Sequence, residues 1–212
     1  GESIGKMIHE EKLENIVLKH PYKEYSIQAY AHAKKIPFTV HPSLGQDINY
    51  IHPLCNWEAI GKVSETDFYK FVETIYNLEG GIYISIGSSI TSPMVFEKAL
   101  SIARNVKHRE NKKINDTEIS NEISGPETLN KSKKVSGFSI IVNDIQEGKW
   151  KWETGIEPPK DNPAYYLRFC KTFSRAGAKE LHYIQEDNKI FLCNLYQWLK
   201  KLDSDKINNT NL

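Results

Sequence analysis

Apolar residues recur at helical spacing from the start of the chain. Ile4, Met7, Ile8, Leu13, Ile16 and Val17 fall roughly on one face, which predicts a helix to about residue 19, stopped by Pro21. A short helix is expected over 25–33. The run IPFTV at 36–40, bounded by Pro42, reads as a buried strand. Ser64 followed by Asp67 resembles a capping box, with Phe68, Phe71, Val72, Ile75 and Leu78 on one face behind it and Gly80-Gly81 as the stop. IYISI at 82–86 has the strongest strand pattern in the chain. Ser92-Pro93, a cap followed by proline at the first helical position, opens a helix to about residue 104. FSIIV at 138–142 reads as a third strand, 161–169 as helical after Pro163, and 181–184 as a fourth short strand. Asp187 then caps a helix carrying Ile190, Phe191, Leu195 and Trp198.

Strands alternating with helices imply an α/β fold with a mostly parallel sheet and right-handed crossovers. The regular periodicity spans residues 1–202, read as a single α/β domain of the nucleotide-binding type. A polar stretch at about 107–134 interrupts it and is expected to be a mobile surface loop, because it carries too little apolar area to offset the entropy of ordering. The tail at 203–212 is expected to be disordered. Four strands are few for a doubly wound sheet, so the fold is expected to lack N-terminal strands.

The 212 residues suffice for one hydrophobic core. No run of about 18 apolar residues predicts a membrane span, and the first residues lack the basic and apolar segments of a signal peptide. Net charge is +1, and only four of the 28 basic residues are Arg, so charge gives no argument for nucleic acid. Three cysteines without a CxxC pair disfavour a disulfide framework and a zinc ribbon, and a reducing cytoplasm is the expected compartment.

In open parallel sheets ligands bind outside the carboxyl ends of the strands. The segments there carry His41, Asp47, Tyr50 and His52 after the first expected strand and Gly87-Ser88-Ser89 after the second. Asn143 to Glu147 follow the third, and Gln185-Glu186-Asp187 the fourth. Small residues before a helix let backbone N–H groups approach a phosphate, although a plain turn needs the same residues. No G-x-G-x-x-G or Walker A run occurs. His41 and His52 match no metal spacing. Lys171, between Phe169 and Phe173, is either one more surface lysine or an amine whose basicity an apolar setting lowers enough for imine formation. Trp150 and Trp152 (KWKW) read as an aromatic loop that covers a ligand or packs at a subunit contact.

The stretches IPFTVHPSLGQDINYIHP, LEGGIYISIGSSITSPMVFEKALSIARN, IIVNDIQE and IQEDNKIFLCNLYQWL together resemble the deoxyhypusine synthase family and its bacterial deoxyhypusine-synthase-like relatives, over roughly residues 20–200. The resemblance implies a Rossmann-like NAD-binding fold, usually tetrameric. It also implies transfer of an aminoalkyl group from a polyamine or related amine through an enzyme-lysine imine. By the same resemblance Asp47 and Tyr50 bind the amine substrate, and His52 orients it or exchanges protons. Gly87, Ser88, Ser89, Asn143, Gln146, Glu147 and Asp187 border NAD, and Lys171 falls near the imine-forming lysine. Pro93-Met94 stand where the family has a His pair, which favours the alternative of a nucleotide-binding or assembly module without the chemistry.

Overall fold

The computed structural model describes residues 1–119, 135–154 and 156–210, so the expected loop is outside the described residues from 120 to 134 and the tail at 211–212. The chain divides into two compact units, residues 1–76 and 77–212, where the sequence pattern suggests one domain.

In the first unit α1 (Glu2–Glu10) packs on α2 (Ile27–Ala33). Gly5 permits the close approach: a Cβ there would lie 2.4 Å from the Gln28 carbonyl oxygen. The first helix is half as long as the apolar spacing suggests. Glu11 takes a left-handed conformation (φ 52°), and the chain turns into a hairpin of β1 (Lys12–Leu13) and β2 (Ile16–Val17). Leu13 and Ile16 face each other there, because spacing of three serves a tight hairpin as well as a helix turn.

The expected strand at 36–40 is not formed. Its last backbone N–H, at Val40, donates to Asp67 Oδ2 at 2.8 Å instead. Asp67 is accordingly no helix cap. It lies in the middle of α3 (Trp57–Tyr76), 6% exposed, while the start of α3 is capped by Asn56 Oδ1 accepting from the Ala59 N–H at 2.9 Å. Ser64 donates to the Ile60 carbonyl within the same helix.

The second unit is a mixed α/β structure built on a parallel sheet. It runs β3 (Ile82–Ile86), α4 (Thr91–Ile119), β4 (Ser139–Asp144), two short 3-10 turns, α5 (Arg168–Ser174), β5 (Glu180–Gln185) and α6 (Asn188–Thr210). The sheet has three strands in the order β3-β4-β5 rather than four, since the 36–40 segment does not join it. α4 continues into the stretch expected to be loop, and α6 into the stretch expected to be tail.

Successive crossovers in one direction put their helices on one face of a parallel sheet. Tyr83, Ser85, Ile140, Val142, Leu181 and Tyr183 share a face by register. Phe96 of α4 and Phe173 of α5 are both 0% exposed and pack beneath it, their rings 5.6 Å apart and the Phe96 ring 4.3 Å from Tyr83. Phe138, Phe169 and Ala103 complete this core. The other face carries Ile82, Ile84, Ile141, His182 and Ile184.

Candidate functional site

The carboxyl ends of the three strands meet in the second unit. Gly87, directly after β3, donates its N–H to the Asn143 carbonyl at the end of β4, at 2.9 Å. The Asn143 side chain, 1% exposed, donates through Nδ2 to the carbonyls of Ile184 (3.2 Å) and Glu186 (2.9 Å), clipping β4 to the end of β5. Those two acceptors fix which end of the amide is nitrogen. Its oxygen, Oδ1, is buried with no hydrogen-bond partner, and so is Oδ1 of Asn188 at the start of α6. Asn188 stands against Gly87, where a Cβ would lie 2.3 Å from its Nδ2 and φ is +61°. Only glycine meets both conditions.

Two long helices open on these strand ends. Ser88 Oγ accepts from the Ser92 N–H at 2.9 Å at the start of α4. Asp187 Oδ1 accepts from the Lys189 N–H at 2.8 Å at the start of α6. Ser92, expected to be the cap, turns inward and bonds to the Tyr83 and Ser85 hydroxyls, each at 2.8 Å. Ser89 is half-buried beside Ser88. Helix N-termini present N–H groups and a partial positive charge, which suits phosphate.

Of the other residues expected at the cofactor, Gln146 donates its N–H to Asp144 Oδ1 at 3.2 Å and accepts from the Tyr183 hydroxyl at 2.5 Å. Glu147 is exposed. Gly87, Asn143 and the Asp187-Asn188 start of α6 are therefore brought together, with Ser88 and Gln146 on the adjoining loops. Asn188 is absent from the residues the sequence singles out. The adjacent helix cap is legible in the sequence, but the contact with Gly87, 101 positions away, is made only by the fold.

Asp47, Tyr50 and His52 belong to the first unit. Asp47 Oδ2 accepts from the Ser43 N–H at 2.7 Å in a loop that follows no strand. Tyr50 stacks on Trp57 with ring centroids 4.7 Å apart and 11° between planes, its hydroxyl buried without a partner. His52 is exposed, and its Nδ1 accepts from the Leu54 N–H at 3.1 Å. His41 lies edge-on to Phe71, and burial lowers its pKa.

Lys171 is not set among apolar groups. Phe169 and Phe173, four apart on α5, face the core together, and the residue between them points the other way. Its Nζ lies 2.6 Å from Glu157 Oε1 and 3.8 Å from the centroid of the Tyr165 ring. The Glu157 partner raises the Lys171 pKa, and Lys171 and Arg175 together lower that of Glu157. A lysine held as ammonium is a poor nucleophile. Glu157→Gln is expected to move the pH midpoint for acylation of Lys171 downward, measured by peptide mapping after timed reaction with an amine-reactive ester. An unchanged midpoint would mean that the pair does not control this amine.

Among the described residues no cluster of three His, Cys, Asp or Glu side chains is arranged to hold a metal. No described helix is long and apolar enough to cross a membrane. The chain matches no protein-family model, no curated protein and no solved structure.

Proposed function

We propose that residues 77–212 form a nucleotide-binding domain of the Rossmann-like kind, with the crossover helices on one face of a three-stranded parallel sheet, taking NAD at the carboxyl ends of β3, β4 and β5. The observation that carries this reading is the buried, unpaired Oδ1 of Asn143 at the junction of the strand ends, beside the starts of two long helices. A buried acceptor without a donor costs about 1–3 kcal/mol, and a ligand hydroxyl that reaches it removes that cost. Asn188 Oδ1 offers a second acceptor, and Gly87 leaves the backbone bare for close approach. A ribose with its phosphate supplies the matching groups: hydroxyl donors for the two amide oxygens and an anion for the helix N-termini.

Binding without turnover is the form of the deoxyhypusine-synthase-like reading that this geometry favours. Aminoalkyl transfer asks Lys171 to give up its proton, and Glu157 at 2.6 Å holds it on. When bound, NAD would supply a hydride acceptor, and the residues described here would hold and orient it.

The test is calorimetric titration of the full chain with NAD, followed by incubation with NAD and spermidine. Saturable binding is expected, weakened about fivefold in Asn188→Ala by loss of one hydrogen-bond acceptor, with no reduced nicotinamide formed from spermidine. Absence of NAD binding defeats the proposal. Reduced nicotinamide, with a borohydride-trapped adduct on Lys171, restores the transferase reading.

A further inference from the structure

Beside the strand ends lies a cleft of about 520 Å³, within the size range of small-molecule sites, between β5 and the loop that follows β4. Ile141, His182, Ile184 and Gln185 line its sheet side, and Lys149 and Trp150 its loop side. We propose that this cleft receives the adenine ring of the nucleotide, stacked on Trp150; the inference rests on the nucleotide reading above and adds where the base goes.

The loop wall is built. Gly148 is pressed so closely on its neighbours that a Cβ would come 2.7 Å from Tyr183 Cε1 and 2.9 Å from Leu167 Cδ1. Trp152 is 2% exposed and donates Nε1–H to the Gly148 carbonyl at 2.9 Å, locking the loop from below. Trp150 donates Nε1–H to the Ile156 carbonyl at 2.7 Å. Its one polar group is thus spent on the backbone, and what remains for a ligand is a partly exposed indole ring. Such a ring takes a flat aromatic group by stacking.

The opposite wall fits the same class. Ile184 supplies apolar surface, while the amide of Gln185 and the imidazole of His182 supply donors and acceptors for a base edge. Residues that line the cleft are close in the chain, or hydrogen-bonded, to those at the strand ends. Gln185 is two residues before the α6 cap, and Tyr183, which lines the cleft, bonds to the Gln146 carbonyl. On this reading the ribose sits at Asn143 and Asn188 and the base at Trp150.

The deciding comparison uses the full chain, wild type and Trp150→Ala, titrated with ADP-ribose and with nicotinamide mononucleotide, which has the sugar phosphate but no adenine. Stacking on one aromatic ring predicts roughly tenfold weaker ADP-ribose binding in Trp150→Ala, unchanged binding of nicotinamide mononucleotide, and recovery of ADP-ribose affinity in Trp150→Phe. Equal ADP-ribose affinity in wild type and Trp150→Ala overturns the adenine assignment while leaving a nucleotide at the strand ends. Failure of the wild type to bind ADP-ribose, nicotinamide mononucleotide or NAD overturns both.

Discussion

Replacing Phe96 by alanine is expected to destabilise the second unit by about 3–5 kcal/mol, the cost of a large cavity in a close-packed core. Phe96 is 0% exposed and is the ring through which α4, α5 and the sheet meet. Its centroid lies 4.3 Å from Tyr83, 5.6 Å from Phe173 and 6.0 Å from Phe138. Those partners come from β3, from α5 and from the residue just before β4, so no single element can move to fill the gap. The measurement is denaturant unfolding of the full chain followed by probes in each unit. The transition reporting on residues 77–212 should shift to lower denaturant. A loss under about 1 kcal/mol would mean that α4 and α5 do not share this core.

Alanine at Gly87 is expected to damage both stability and binding, and a comparison with Gly80 separates the causes. Both glycines have positive φ, +61° at Gly87 and +71° at Gly80. At Gly80 an added Cβ meets nothing within 4 Å, so Gly80→Ala pays backbone strain alone, about 1 kcal/mol. At Gly87 the added carbon falls 2.3 Å from Asn188 Nδ2, so the start of α6 must also move. Gly87→Ala is expected to cost about 3 kcal/mol and to weaken NAD binding at least tenfold, because Asn188 and the N-terminus of α6 are displaced together. Gly80→Ala should leave NAD affinity unchanged. Equal losses in the two variants would show that the β3 end and α6 do not approach as described.

Short, strongly patterned segments explain which elements were legible. IYISI and FSIIV are bounded by Gly or by short polar residues and are rich in β-branched side chains, and both form strands close to the expected limits. The segment IPFTV has the same look and forms none. A strand exists only where a neighbour completes its ladder, and Val40 finds the Asp67 carboxylate instead of a sheet edge. Asp67 illustrates the same limit from the other side. Three positions after a serine, it has the spacing of a capping box, but a helix that starts at Trp57, ten positions before it, leaves it mid-helix and buried.

The local pattern of this chain determined that it is α/β, where its three paired parallel strands lie, and that small and polar residues follow each one. Those properties depend on neighbours a few positions apart. The fold alone decided that Gly87, Asn143 and Asn188 touch, that Lys171 faces Glu157 and not the core, and that Asp47 lies in a loop of the first unit. Each of these is set by which residue from a distant segment fills the space beside a side chain. That choice follows from packing the whole sheet and its helices, and no window of sequence contains it.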